Sequence, residues 1–150
     1  MPQLNGIKLI KLPVRDLRAS VRWYRRVLGA VPILEFADVE DGVVRGVALD
    51  LPGVPGGLAL REAPEHAAGV SGFNLAVWSV SGERDIDDWM ARLDELGVEH
   101  SPKIAATIGW MVIFTDPDGI EHHLYTDEPH GIDRSDEPRA GRPTSPQAWD

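Results

Sequence analysis

The stretch that decides the fold occupies residues 114–125 and reads F-T-D-P-D-G-I-E-H-H-L-Y. Residues 116–119 predict a tight turn, because the proline presets φ and the glycine can adopt positive φ. The run before the turn, residues 110–114, is rich in β-branched and aromatic side chains, and the run after it alternates between two faces. We therefore expect a strand on either side of the turn. On the second strand, one face carries Glu121, His123 and Tyr125.

Two other stretches predict helices that each end at a leucine-glycine pair. Residues 14–29 read V-R-D-L-R-A-S-V-R-W-Y-R-R-V-L-G, and residues 88–100 read D-W-M-A-R-L-D-E-L-G-V-E-H. Both carry an apolar stripe at helical spacing. Strands are predicted at 6–14, 31–37, 43–50 and 58–62, and again at 73–80, 98–104, 110–115 and 121–126. Superposing Leu28-Gly29 on Leu96-Gly97 gives an offset of 68 residues, which indicates a duplicated half-domain.

These three stretches, in this order and spacing, resemble the vicinal oxygen chelate superfamily of glyoxalase I, bleomycin-resistance proteins and extradiol dioxygenases. The resemblance covers residues 7–126. It implies an α+β fold in which two βαβββ modules form curved mixed sheets around a central cavity, with the helices outside. The expected divisions are a first module at 1–62, a linker at 63–71, a second module at 72–126 and a polar tail at 127–150. The tail is expected to be disordered or to drape over a partner subunit.

Composition excludes several classes of function. A chain of 150 residues with 43% hydrophobic residues suits one compact domain or two half-domains that share a core. It has no cysteine, which excludes disulfides, thiolate metal sites and cysteine nucleophiles. The net charge of -9 disfavours nucleic-acid binding and suits a cationic ligand. No apolar run suggests a membrane span or signal segment, so we expect a cytoplasmic protein without membrane contact.

The resemblance implies a divalent metal, held by His or Glu on the first and last strand of each module. The first-strand positions here are Leu9, which has no lone pair to donate, and Asn74, whose amide is a weak ligand. The last-strand positions are Glu62, in one of two strand registers, and His123. We therefore expect the family metal site to be lost and no cofactor to be needed. The alternative is a rebuilt divalent-metal site from Glu62, His123 and either Glu121 or Asn74.

What is left in place of a metal site is a pocket with apolar and aromatic walls and a few polar groups, which suits an organic small molecule. Strand alternation predicts that it is lined by Leu9, Lys11, Asn74, Trp78, Trp110, Phe114, His123 and Tyr125.

These observations predict a small-molecule-binding protein similar to the bleomycin-resistance proteins. One alternative is a metal-dependent glyoxalase-like lyase, isomerase or dioxygenase, in which Glu62 or Glu121 is the base. Another is a metal-free enzyme that uses His123 as an acid or base. Whether the chain is an enzyme is left open. The resemblance also implies a homodimer, because modules of this superfamily pair within one chain or across two.

Overall fold

Two four-stranded mixed sheets and three helices form the framework of the chain, whose residues 1–35 and 39–136 are described by a computed structural model. The elements of the first half are β1 (Ile10–Val14), α1 (Leu17–Leu28), β2 (Val31–Glu35), β3 (Val39–Glu40), β4 (Val43–Val44), β5 (Gly46–Leu51) and β6 (Val54–Glu62). The elements that follow are α2 (Pro64–Val70), β7 (Asn74–Val80), α3 (Glu83–Glu95), β8 (Ile104–Ala105), β9 (Gly109–Thr115) and β10 (Glu121–Pro129).

The two sheets have the same topology. Sheet 1 has the order β1-β6-β5-β2, and sheet 2 has the order β7-β10-β9-β8. In each sheet the first strand of the module pairs in parallel with the last strand, and the remaining neighbours are antiparallel. The βαβββ order therefore occurs twice, and the predicted α+β fold is confirmed.

Local sequence explains where the two long helices begin and end. The Asp16 side chain accepts a hydrogen bond from the Ala19 backbone N–H at 2.9 Å, which caps α1. The Asp85 side chain accepts one from the Gly82 backbone N–H at 2.9 Å at the start of α3. Gly29 and Gly97 follow the helices at φ values of 70° and 64°, as the leucine-glycine pairs predicted.

One hydrophobic core joins the two modules. It includes Leu12 and Tyr24 of the first module and Trp78, Leu93 and Leu124 of the second. Each sheet turns the face that packs on its helix toward this shared core. The opposite faces therefore both look outward, and we call them the open faces of sheets 1 and 2. Within the residues described, a single chain does not enclose a cavity between these two faces.

Several segments differ from the sequence expectation. The segment expected as a linker contains helix α2, which begins at a proline, a residue suited to the first helical position. The strand expected at 98–104 is reduced to a bridge at His100 and to β8, because Pro102 has no N–H to donate to a ladder. Between the strands expected at 31–37 and 43–50, a turn at residues 41 and 42 closes the small β3–β4 hairpin. The tail beyond residue 136, with Trp149, lies outside the described residues.

Part of the segment between the strands expected at 43–50 and 58–62 is also strand, since β6 begins at Val54. Gly57 has a φ of 67°, and a Cβ added there would lie 2.4 Å from the carbonyl oxygen of Leu49. Glycine therefore lets β6 pass close to β5. None of the three helices in the described segments is long and apolar enough to cross a membrane.

Candidate functional site

The polar residues predicted on β10 lie on the open face of sheet 2. Burial alternates along β10. His122 and Leu124 face the core. Glu121, His123 and Tyr125 are half-buried on the other side. Val77 of β7 and Ile113 of β9 are the strand partners of His123. His123 is therefore flanked by apolar side chains on both neighbouring strands.

Glu121 and His123 form a pair on this face. The distance from His123 Nε2 to Glu121 Oε2 is 3.0 Å, and their side chains are 19% and 35% exposed. The carboxylate holds Nε2, and Nδ1 has no hydrogen-bond partner among the described residues, so it can exchange a proton with a bound molecule. This pair has the geometry of an acid or base held in position by a carboxylate.

Tyr125 adds a hydroxyl to the same face. Its oxygen accepts hydrogen bonds from the backbone N–H groups of Ile108, at 2.9 Å, and Gly109, at 3.2 Å. Both of these bonds use oxygen lone pairs, so the hydroxyl can still donate its proton. The ring is thereby anchored to the loop before β9 while its polar tip can serve a ligand.

The side chain of Asn74 is hydrogen-bonded to the backbone. Its amide nitrogen donates to the carbonyl oxygens of Ala76, at 2.8 Å, and Glu121, at 3.2 Å. These bonds lie where the register between β7 and β10 shifts by one residue. Asn74 therefore holds a bulge at the start of the sheet.

That bulge places Trp78 on the other face from the one predicted. An unshifted register would pair Trp78 with Tyr125, but the shift pairs Trp78 with Leu124 and gives His123 the partner Val77. Trp78 is buried on the core side, where its indole N–H donates to His122. The prediction that Trp78 shares a face with His123 is wrong for this reason.

The other predicted aromatic positions are also away from the open face. Phe114 is buried opposite His122 on the core side. Trp110 is on the same side of β9 by alternation, and its ring contacts His130 edge-on at 5.7 Å between centroids. Their predicted place in a pocket with His123 is corrected by the strand alternation of β9. Their role in ligand binding stays a prediction.

The first module contributes a separate surface. Lys11 points away from the buried Leu12 and lines a cleft of about 860 Å³ with Arg61 and His66 on the open face of sheet 1. Leu9 precedes β1 and is half-buried. In one chain these residues therefore belong to a different open face from His123.

Glu62 is committed to the core side of the first module. Its carboxylate forms an ion pair with Arg45 and accepts a hydrogen bond from the Leu17 backbone N–H at 3.1 Å, at the start of α1. The predicted alternative site of Glu62, His123 and Glu121 is therefore not assembled within one chain.

A divalent metal of the kind the resemblance implies needs several donors that converge on one point. In the part of the chain that the structure describes, no three His, Cys, Asp or Glu side chains converge in a way that could hold a metal ion. Glu121 and His123 supply two donors, whereas such sites use three or more protein ligands. Within one chain, the described residues therefore do not fit the metal.

A buried polar network lies on the core side of sheet 2, directly behind His123. His122 Nδ1 accepts from the Trp78 indole N–H at 3.0 Å, so the imidazole proton is on Nε2. Nε2 lies 3.0 Å from the hydroxyl of Tyr24, which in turn donates to Asp116 at 2.8 Å. The network thus joins α1 of the first module to the β9–β10 turn of the second.

Burial shifts the ionisation of this network. Desolvation, followed by the neighbouring His123, lowers the pKa of His122 to about 4. Desolvation also raises the pKa of Tyr24, with a further contribution from Asp116, and it raises the pKa of Asp116 itself. Near neutral pH, His122 is therefore an uncharged connector.

Sequence reasoning placed His122 on the opposite face from His123 but gave it no partners. The two turn aspartates were interpreted as turn residues alone, yet Asp118 also accepts from the Arg15 backbone N–H at 3.1 Å. The only signal in the sequence was alternation, which put an imidazole among core residues that would need hydrogen-bond partners.

Comparison with solved structures identifies proteins with a similar fold. A glyoxylase/bleomycin resistance protein/dioxygenase domain from Frankia sp. EAN1pec is 26% identical, with a TM-score of 0.65 over 83% of this chain and 98% of that chain. TnmS3, an antibiotic binding protein from Streptomyces sp. CB03234, is 23% identical, with a TM-score of 0.69 over 84% of this chain and 98% of that chain. A mutant of the fosfomycin resistance protein FosX from Listeria monocytogenes, complexed with Mn(II) and 1S,2S-dihydroxypropylphosphonic acid, is 18% identical, with a TM-score of 0.64 over 83% and 93%.

A sequence-family model agrees with the fold. The model of the Glyoxalase/Bleomycin resistance protein/Dioxygenase superfamily matches residues 6–124. This range runs from just before β1 into β10, so it contains both βαβββ modules. The chain belongs to the glyoxalase/bleomycin resistance protein/dioxygenase superfamily.

Proposed function

We propose that the chain binds an organic small molecule on the open face of sheet 2, in a cavity that a second copy of the chain completes. The observation that carries this proposal is the half-buried Glu121–His123 pair, which lies between the apolar side chains of Val77 and Ile113. Tyr125 adds a hydroxyl to the same face. A few polar groups on an apolar surface are typical of sites for organic ligands.

The need for a second copy follows from the exposed apolar surface. Phe73, Leu75 and Val77 on and beside β7 are 63%, 36% and 55% exposed. In the described residues β7 and β1 each pair with only one strand, so each has a free edge. A free edge next to exposed apolar side chains favours association. In the homodimer that we propose, sheet 1 of one copy lies beside sheet 2 of the other, so that Lys11 and His123 line one cavity.

One comparison supports binding as the function, because TnmS3 is named as an antibiotic binding protein. The name of the Frankia domain covers glyoxylases and dioxygenases as well as bleomycin resistance proteins. The metal-dependent lyase, isomerase or dioxygenase alternative has weaker support, because the described residues do not bring a third donor to Glu121 and His123. We therefore propose binding without a metal, in contrast to the FosX complex, which holds Mn(II).

A metal-free reaction is the second candidate. Glu121 positions the imidazole of His123 at 3.0 Å, and this arrangement would let Nδ1 take a proton from a bound molecule or return one. In this version Glu121 stabilises the imidazolium that forms.

The experiment is a screen of aromatic fragments by NMR of the valine and isoleucine methyl groups, with and without EDTA. We expect fragments to shift the methyl resonances of Val77 and Ile113 equally in both conditions. His123→Ala should weaken binding about tenfold through loss of one polar contact in a half-buried site. His100→Ala is the control, because His100 pairs with Asp94 away from this face and its loss should leave affinity unchanged.

Binding that disappears with EDTA would contradict the proposal and favour a metal-dependent function. Fragment shifts confined to methyl groups elsewhere would place the site on another surface. If a fragment is converted by the wild-type chain but not by His123→Ala, whatever the EDTA concentration, the metal-free enzyme replaces simple binding.

A further inference from the structure

A second cleft lies on the core side of sheet 1, away from both open faces. It is enclosed by α1, the inner face of β2 and β5, and the β3–β4 hairpin, and it has a volume of about 550 Å³. This volume is within the range of small-molecule sites. Its apolar lining consists of Leu17, Val21, Pro32, Val43, Val44 and Val47, with Gly42 beside them.

Two arginines of α1 stand at the mouth of this cleft. Arg18 and Arg22 both line it, and because they are four residues apart their side chains lie one helical turn from each other. Among the described residues that line the cleft, none is acidic. Exposure alone would make this basic helix face a solvated surface, but it does not account for an apolar cleft beneath two of its arginines.

Within the described residues, no ion pair neutralises the charges of Arg18 and Arg22. Other arginines of the chain have clear roles: Arg15 pairs with Asp118, Arg45 pairs with Glu62, and Arg92 donates to backbone carbonyl oxygens of α1. Neither Arg18 nor Arg22 forms an ion pair with a described residue. The chain as a whole has a net charge of -9, so this is a local positive patch on an acidic protein.

From this arrangement we propose that the cleft is a second binding site, for an amphipathic organic anion. The anionic head, a carboxylate or sulfonate, lies between the guanidinium groups of Arg18 and Arg22, which hydrogen-bond planar oxyanions well. The hydrocarbon or aromatic body covers Val21, Val44 and Val47 and removes apolar surface from water. The site is independent of the open face of sheet 2 and of any ligand bound there.

Decanoate, below its micelle concentration, is the probe. We expect it to shift the arginine Nε–H resonances of Arg18 and Arg22 and the methyl resonances of Val44 and Val47. Decyltrimethylammonium has the same chain with a cationic head, and it should bind at least about tenfold more weakly because it meets two positive charges. Both affinities are measured by isothermal titration calorimetry at about 0.1 M salt, where long-range charge effects are screened.

The double variant Arg18→Gln with Arg22→Gln should weaken decanoate binding about tenfold, since it removes both charged donors. The matched control is Arg25→Gln with Arg26→Gln, which makes the same charge change on the same helix but outside this cleft. Its affinity should stay within about twofold of wild type. Val43→Glu, a change at an exposed hairpin residue, tests the same site by placing a carboxylate at its mouth and should also weaken binding.

Equal losses in the two double variants would overturn the proposal, because they would reveal a general charge effect. Equal affinity for the cationic probe, or shifts confined to Val77 of the open face, would overturn it as well. All of the substituted arginines are exposed, and a thermal melt within a few degrees of wild type confirms that each variant is folded.

Discussion

His122 is fully buried, and both of its ring nitrogens have hydrogen-bond partners. Its ring also stacks near Trp78 and Phe114, at centroid distances of 6.0 Å and 5.5 Å. Because the Trp78 indole donates to Nδ1, protonation of that nitrogen would place two donors against each other. The neutral ring therefore belongs to the folded state, and its charged form does not.

The buried, neutral His122 should make the stability of the chain depend on pH. The pKa of His122 is lowered to about 4 in the folded chain, from a usual value of 6.5. Between these values the unfolded state binds more protons, so stability is fully present above the unfolded pKa and is lost as pH falls toward 4. From pH 7 to pH 5 we expect the free energy of unfolding to fall by about 2 kcal/mol from this residue, measured by urea denaturation.

His122→Gln provides the comparison, since an amide can accept from Trp78 and donate to Tyr24 without titrating. It should lose stability at pH 7 but show a flatter pH dependence than wild type. The raised pKa of Asp116 makes its contribution to stability increase as pH falls, opposite to that of His122. The test is therefore the difference in pH dependence between wild type and His122→Gln. An unchanged slope in the variant would show that His122 is not the titrating group.

At the level of single elements, local irregularities decide which side chains meet. The one-residue shift between Glu121 and His122 changes the partner of His123 from a buried residue to Val77. Gly57 has a comparable effect in β6, where its positive φ and missing side chain allow close pairing with β5. One feature lies between β10 and β7, and the other lies between β6 and β5. Both therefore involve the last strand of a module, which carries part of an open face.

Gly57→Ala should destabilise the chain by about 3 kcal/mol, because backbone strain at positive φ is combined with a clash against the Leu49 carbonyl. Gly53→Ala is the matched control. Its φ is 80°, but an added Cβ would meet nothing within 4 Å, so strain alone should cost about 1 kcal/mol. Urea denaturation of both variants measures the difference, and equal losses would contradict the proposed close approach.

At the scale of the whole molecule, the shared core turns both open faces outward. The helices and the His122–Tyr24–Asp116 network hold the modules back to back, so the candidate ligand-binding residues of the two modules lie on separate surfaces. We therefore propose that another copy of the chain closes the cavity. This is why we connect ligand binding with a homodimer.

Val77→Glu should weaken the proposed homodimer by at least about tenfold, since it would bury an unpaired charge on the exposed face of β7. Sedimentation velocity over a range of concentrations measures this change. Val43→Glu introduces the same charge at a valine that is 46% exposed on the β3–β4 hairpin, and it should leave the dimer intact. A Val77→Glu protein that dimerises like wild type would place the interface elsewhere.

The sequence alone determined the elements that depend on neighbouring residues. The turn at 116–119, the ends of α1 and α3 and the repeated βαβββ order follow from local φ preferences, capping side chains and apolar spacing. The open face of β10 also followed, because alternation with period two needs no knowledge of the partner strand. These features led from residues 114–125 to the superfamily.

Only the tertiary structure decided which residues lie next to His123. Trp78 was placed on the wrong face because a bulge between strands about 45 residues apart leaves no local signature. Glu62 was a candidate ligand by position, but its contact with Arg45 and the start of α1 gives its carboxylate a structural role. Long-range register and competition between partners for one polar group are properties of the folded chain, and strand alternation cannot supply them.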